Sequence, residues 1–373
     1  MNKRHLTFLA GTVGLCLAPL NAAEPEGSLE SVLAAQVESS GLPSIAAIAI
    51  SSQETLDSAA VGVRKIGDPT RVTLEDKYHL GSCTKSLTAT LAAILVESGS
   101  IRWDSTIGEA LESRIETIHP EFASVTLDQL LAHTGGFAAN PPQSTWLKAW
   151  KDQGQLAPTE QRLSFASDLL ANAPSYQPGV RSVYSNLGYA IAGVMLETVT
   201  GQAWESLLAE KVFHPLGMES AGFRAPASPG AVDETWGHRN GIAVPPGPQS
   251  DNPDAIGPAA TAHASITDWA KFARYHLKGE PAPLLKDANS LAKLRSTLKN
   301  SENHAVGGWL AHDIEPFGGR AFQMVGSNTM WMAMMWILPE KDLAVLVATN
   351  DGGPQAFANL DQVATYLFSK YID

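Results

Sequence analysis

The chain has 373 residues, 44% of them hydrophobic and 17% charged, which is enough apolar material for a real core and excludes general disorder. With 26 Lys+Arg against 38 Asp+Glu the net charge is −12, a surface that repels phosphate backbones, so the reading is no nucleic acid as partner. Two cysteines cannot build a disulfide framework or a cysteine-rich zinc site.

Residues 1–23 read as a secretory signal peptide. Lys3, Arg4 and His5 precede an apolar run from Leu6 to Leu20, and Ala22 and Ala23 supply small residues near a break. The alternative is an N-terminal membrane anchor, but the run is short for a spanning helix and contains Pro19. Export would place the product in the periplasm or outside the cell. Loss of Lys3 and Arg4 would take the net charge from −12 to −14 and leave Cys83 as the only cysteine. No later stretch is long and apolar enough to span a bilayer.

After the leader, the spacing predicts a helix over Leu29–Ser39 and two strands, Ser44–Ile50 and Leu56–Val63, joined by a polar turn. From Ser82 to about Leu298 the periodic segments are mostly helical. The clearest are Lys85–Glu97, Leu187–Val199 and Ala203–Phe213, the last stopped by Pro215. Residues 225–260, rich in proline and glycine, read as a long ordered loop or a small hairpin excursion, since helical periodicity resumes at Thr267. Strand-like segments follow at Trp309–Ile314, Ala321–Val325, Trp331–Leu338 and Leu343–Thr349, with a closing helix over Gln355–Tyr371. Two N-terminal strands cannot bury a face alone, so they are expected to join the C-terminal strands in one antiparallel sheet. The fold class is therefore α/β: a sheet lobe (24–80 and 300–373) flanked by terminal helices, with a large helical lobe (81–299) inserted and a cleft at the junction.

There is no G-x-S-x-G elbow, no H-E-x-x-H and no phosphate-binding P-loop. None of the ten histidines has a convincing metal spacing. The positive signal is Gly81-Ser82-Cys83-Thr84-Lys85. Ser-x-x-Lys alone is cheap, because Ser290–Lys293 and Ser296–Lys299 also fit it. Context separates them: Lys85 is followed by an uncharged run, Ser86 to Val96, whereas the later copies sit in a polar, lysine-studded segment. Positions i and i+3 share a helix face, so Ser82 Oγ and the Lys85 amine can meet. A lysine in the first turn opposes the helix dipole, and burial disfavours its ammonium form, so both lower its pKa. A neutral amine can then take the Ser82 proton as the oxygen attacks a carbonyl. The residues alone also allow Ser82 as a helix N-cap followed by a surface lysine. A second signal, Tyr184-Ser185-Asn186, precedes the Leu187 helix. Tyr184 would shuttle a proton and Asn186 orient substrate, or else Asn186 caps the helix and Tyr184 is a core aromatic. Cys83 points about 100° around the helix from Ser82 and reads as a spectator. Asn140 is a weaker candidate in the loop after His133.

Together these motifs resemble the serine β-lactamase-related hydrolases: class C β-lactamases, DD-peptidases and serine esterases of that fold. Further likeness comes from Leu130-Leu131-Ala132-His133-Thr134-Gly135-Gly136, Phe213-His214-Pro215-Leu216-Gly217-Met218 and the Trp336–Asn350 hairpin. The resemblance implies a β-lactamase/transpeptidase-like fold, with Ser82 as nucleophile, Lys85 as base, Tyr184 as relay and Asn186 at the substrate carbonyl. It also implies an oxyanion hole from the N–H groups of Ser82 and Ser327, with Gly326 letting substrate lie close to the strand. The departure is Met324, where that family carries the lysine or histidine of Lys-Thr-Gly or His-x-Gly. A methionine cannot attract a carboxylate or tune the Tyr184 proton. This favours uncharged acyl substrates such as esters over β-lactams and D-Ala-D-Ala peptides, or an impaired catalyst that only binds. His304 and His312 are the nearby candidates to replace the cation, although a surface role is the alternative for each. The expected substrate is a small-molecule ester, amide or β-lactam, with no cofactor and no metal.

Overall fold

The computed structural model describes residues 27–280 and 282–372, so the predicted signal peptide lies outside the described residues. Eleven strands are present among them. β1 (Ser44–Ile50) and β2 (Thr55–Gly62) come first, then β3 (Lys77–His79), β4 (Gly222–Phe223), β5 (Gly237–Arg239), β6 (Ile242–Val244) and β7 (Ala262–Ser265). The run closes with β8 (Leu310–Ile314), β9 (Gly319–Ser327), β10 (Met332–Leu338) and β11 (Leu343–Thr349).

The N-terminal strands join the C-terminal ones in a six-stranded antiparallel sheet ordered β2-β1-β11-β10-β9-β8. β1 and β11 are buried along their whole length, and apolar except for Ser44 and Thr349 at one end, because both faces of the sheet are covered. Ile45, Ala47, Ala49, Trp336, Val345 and Val347 point to one side, against α1 (Leu29–Ser40) and the closing helix Ala356–Tyr371. Ala46, Ile48, Ile50, Ala333, Met335 and Leu346 point to the other, into a core shared with the helices between the two strand groups. The α/β architecture read from the sequence is the one present: an antiparallel sheet backed by the terminal helices, with a large helical insertion on its front.

α2 (Thr84–Glu97) runs through that shared core, and every residue from Thr84 to Ala93 is buried. The absence of charge from Ser86 to Val96 follows from this position. The Asn186–Thr200 helix packs beside it and ends at Gly201, whose φ of 70° supplies the left-handed cap. The 225–260 segment contains the β5–β6 hairpin and short 3₁₀ turns, then leads into β7.

Three local expectations are revised. β7 forms a small sheet with β3 and β4, a pairing invisible in four short residues whose partners are distant in sequence. Pro215 does not stop its helix: a wide turn over Ala209–Phe213 precedes it, and helical backbone continues to Leu216 before Gly217 at φ 65°. Proline is tolerated there because it occupies the first turn of the new segment. β9 extends two residues beyond Val325, to Ser327, which places Gly326 and Ser327 on the strand itself.

Candidate active site

The site lies where α2 meets the end of β9. Gly81 adopts φ 51°, and a Cβ there would fall 2.3 Å from the Ser327 nitrogen. A Cβ on Gly326 would fall 2.0 Å from the Leu80 carbonyl oxygen and 2.6 Å from the Ser82 nitrogen. Two glycines therefore let the Gly81–Cys83 turn and the strand touch through their backbones. The N–H groups of Ser82 and Ser327 both lie at this contact.

Ser82 does not cap a helix. The 3₁₀ turn Gly81–Cys83 and α2 both begin without a side-chain cap, and Thr84 Oγ1 satisfies local groups, donating to the Gly81 carbonyl and accepting from Ala262 N–H. Ser82 Oγ is instead 3.2 Å from Lys85 Nζ and accepts a 2.6 Å hydrogen bond from Tyr184 OH. Asn186 does not cap its helix either: Ser185 Oγ accepts from Leu187 N–H, which frees the Asn186 amide.

Lys85 is fully buried, and among the described residues no carboxylate pairs with it. Its Nζ donates to Asn186 Oδ1 at 2.7 Å and to the Ala259 carbonyl at 3.1 Å, and stands 2.8 Å from Tyr184 OH. An uncompensated buried ammonium is costly. Burial accordingly brings the Lys85 pKa down to about 7, against a smaller upward pull from Cys83. The neighbours suit both protonation states. Two of them, the amide oxygens, can only accept and take two N–H bonds; the hydroxyls of Ser82 and Tyr184 can donate as well as accept and face the remaining valence. Burial also pushes Tyr184 up to about 12, with the bond to Ser82 opposing it, so the phenol stays neutral.

Tyr184 is held by a residue whose place in the site the sequence did not disclose. His133, at φ 60°, accepts the Ser185 N–H on Nδ1 and the Val183 N–H on its carbonyl, gripping both neighbours of Tyr184. Its ring lies 4.8 Å from that of Tyr184, and burial pushes its pKa well down. The Ala259 carbonyl was equally hidden, since a backbone acceptor carries no residue-type signal. His133 did have one: it belongs to the Leu130–Gly136 segment.

Met324 is 4% exposed and packs with Phe322 and Met335 on the front of the sheet, so this position on β9 is apolar. The two histidines considered as substitutes part company. His304 stands at the site, its ring 6.4 Å from Tyr184 and 4.9 Å from His133, with Nδ1 2.9 Å from Ser182 Oγ. His312 packs on Trp336, behind the sheet, where strand alternation turns it away from the site. Cys83 is buried, with its thiol pushed up by desolvation and its Sγ 3.8 Å from the Ala333 carbonyl. Asn140 is exposed and makes none of the contacts to Ser82, Lys85 or Tyr184 described above. Among the described residues no group of three or more His, Cys, Asp or Glu is placed to hold a metal ion, and no helix is long and apolar enough to cross a membrane.

Comparison with known proteins bears on this geometry. The Beta-lactamase family model matches residues 29–367. Penicillin-binding protein 4 of Amycolatopsis lactamdurans is 25% identical over 334 residues, covering 84% of this chain and 82% of that protein. Among solved structures, the octameric penicillin-binding protein homologue from Pyrococcus abyssi superposes with a TM-score of 0.73 at 24% identity, over 92% of this chain and 77% of that one. A D-stereospecific amidohydrolase from Streptomyces sp. gives 0.70 at 20% identity, over 92% of this chain and 97% of the other. The chain belongs to the Beta-lactamase family, a family of serine hydrolases.

Proposed function

We propose that the protein is an exported serine hydrolase that cleaves small esters or amides through an acyl-enzyme on Ser82, with esters preferred. The observation that carries this reading is the unpaired, fully buried Lys85 amine, 3.2 Å from Ser82 Oγ and 2.8 Å from Tyr184 OH. Ser82 Oγ attacks the substrate carbonyl, and its proton passes to Lys85, either directly or through Tyr184, whose 2.6 and 2.8 Å bonds are each shorter than the direct 3.2 Å contact. The tetrahedral oxygen is received by the N–H groups of Ser82 and Ser327. The bond to the leaving group then breaks as the proton returns to it through Tyr184. Water attacks the acyl-enzyme, gives its proton to the same amine, and Ser82 Oγ recovers a proton as the acid departs. Asn186, with its oxygen held by Lys85, is left to present its NH₂ to the substrate. Gly326 keeps the strand open to it.

The ester preference rests on Met324. Without a cation opposite the nucleophile turn, a carboxylate beside the scissile bond gains nothing there. Export to the periplasm or beyond is supported by the basic-then-apolar character of residues 1–23. A β-lactamase or D-Ala-D-Ala carboxypeptidase is the second reading, favoured by the penicillin-binding relative. Intact-mass analysis after separate incubation with a fluorophosphonate, a penicillin and a D-Ala-D-Ala peptide, alongside turnover of p-nitrophenyl esters and nitrocefin, separates the two. The proposal expects a Ser82 adduct with the fluorophosphonate and faster ester than nitrocefin turnover. An unmodified Ser82 and no ester turnover would reject it.

A further inference from the structure

Neither oxyanion donor stands on a self-supporting element: Ser82 follows a glycine in a 3₁₀ turn, and Ser327 is the last residue of β9. Behind them lies a buried polar group that the mechanism above does not use. His79, fully buried, accepts the Gly81 N–H on Nδ1 at 3.0 Å. Its proton therefore belongs on Nε2, which lies 2.7 Å from Asp251 Oδ1, in close contact but off the line of a hydrogen bond. Asp251 is 4% exposed, and the same oxygen accepts the Asn252 N–H at 2.6 Å and Asn328 Nδ2 at 3.3 Å. Asn328 in turn accepts the N–H groups of Met330 and Trp331 on Oδ1, closing the turn that follows Ser327.

We infer that Asp251 is a positioning residue for the oxyanion hole: through His79 on one side and Asn328 on the other, one carboxylate sets the two backbone N–H donors relative to each other. The inference rests on the acyl-enzyme reading of Ser82. Three separate stretches of chain meet at this oxygen: the residues before the nucleophile, the 250 loop and the β9–β10 turn. A carboxylate with so little solvent costs stability unless its partners hold it well, and Oδ2 has no hydrogen-bond partner among the described residues. A purely structural brace would be better served by an apolar contact. What the carboxylate adds is direction. It lies against a ring that accepts the Gly81 N–H, one peptide before the Ser82 donor, and accepts from an amide whose oxygen takes the Met330 and Trp331 N–H groups of the turn after Ser327. The Gly81–Ser327 backbone contact sets how near the donors lie, and the Asp251 group sets their angle.

The test compares Asp251→Ala and Asp251→Asn with wild type in ester turnover and in binding of phenylboronic acid, whose adduct on Ser82 places an oxygen in the hole. Loss of alignment lowers kcat ~10- to 100-fold, the scale of an ångström misplacement, with KM within about twofold. Boronate affinity falls by the same factor in Asp251→Ala. Asp251→Asn keeps an acceptor oxygen and recovers most of both. If Asp251→Ala does not fold, His79→Leu against His79→Gln asks the same question, because only the amide can accept from Gly81 and keep a polar contact with Asp251. A folded Asp251→Ala with unchanged kcat and boronate affinity overturns the inference, whatever its Tm. A wild-type protein that neither hydrolyses esters nor binds the boronate overturns the acyl-enzyme reading instead.

Discussion

The same four-residue pattern occurs at Ser82–Lys85 and at Ser290–Lys293, and the two copies have opposite electrostatic fates. Lys85 is fully buried without a carboxylate, surrounded by two amide oxygens and two hydroxyls. Lys293 is partly exposed, paired with Asp128 at 2.8 Å and lying over the Trp103 ring. The second has a carboxylate partner and water, whereas desolvation brings the first down to about 7. Ser-x-x-Lys thus supplies proximity, and burial supplies the chemistry.

The comparison breaks first at the serines. Ser82→Ala is expected to cut ester turnover about 10⁴-fold or more and to abolish the fluorophosphonate adduct. Ser290→Ala and Ser296→Ala should leave kcat within about twofold. Active-site labelling on either of the latter serines would reverse the assignment.

The lysines come next. Lys85→Ala is expected to lower kcat about 10³-fold, as loss of a general base does. Lys293→Ala should leave the rate alone and cost at most ~1 kcal/mol of stability, the scale of a surface pair. Burial also gives Lys85 a stability signature that depends on pH. Because the folded-state pKa of Lys85 lies below its unfolded value, the unfolded chain binds the extra proton between about 7 and 10.5. The penalty is present in full below pH 7 and is relieved as pH rises toward 10.5. Lys85→Met is therefore expected to raise Tm at pH 6 relative to wild type and to lose that advantage by pH 10. Thermal denaturation at the two pH values measures it.

Smaller effects sharpen the picture. Tyr184→Phe removes the relay through its two short bonds but leaves the direct 3.2 Å contact, so a loss of ~10²-fold in kcat is expected. Smallest is Met324→His, which returns a polar, titratable group to the strand. Near pH 6 it should raise kcat/KM for a carboxylate-bearing substrate about fivefold relative to its neutral ester, the worth of one partly screened charge pair. Equal change for both substrates would remove Met324 from the explanation of specificity.

Much of this was legible beforehand, for reasons that differ by region. β1 and β11 could be read because strands covered on both faces are apolar almost throughout. α2 stood out because a core helix has nowhere to put a charge, which made Lys85 conspicuous at its head. The pairing of distant strands followed from the inability of two strands to bury themselves alone. What stayed hidden depends on tertiary contact. The Ala259 carbonyl on Lys85, the grip of His133 on residues 183 and 185, and the Asp251 link behind the turn involve groups far apart in sequence. His304 and His312 could not be told apart from composition. The register of β8 against β9 turns His312 toward Trp336, whereas His304 lies before that strand and only tertiary contact brings it beside Tyr184.

The central claim is that Lys85 is uncharged when Ser82 reacts. The direct measurement is the pH dependence of Ser82 acylation by a neutral ester under single-turnover conditions. The rate is expected to rise with a single midpoint near 7, the value to which burial brings the amine, and then stay level to at least pH 9 because the Tyr184 phenol remains protonated. A rate that keeps climbing to pH 10, as for a solvated lysine, would contradict the account.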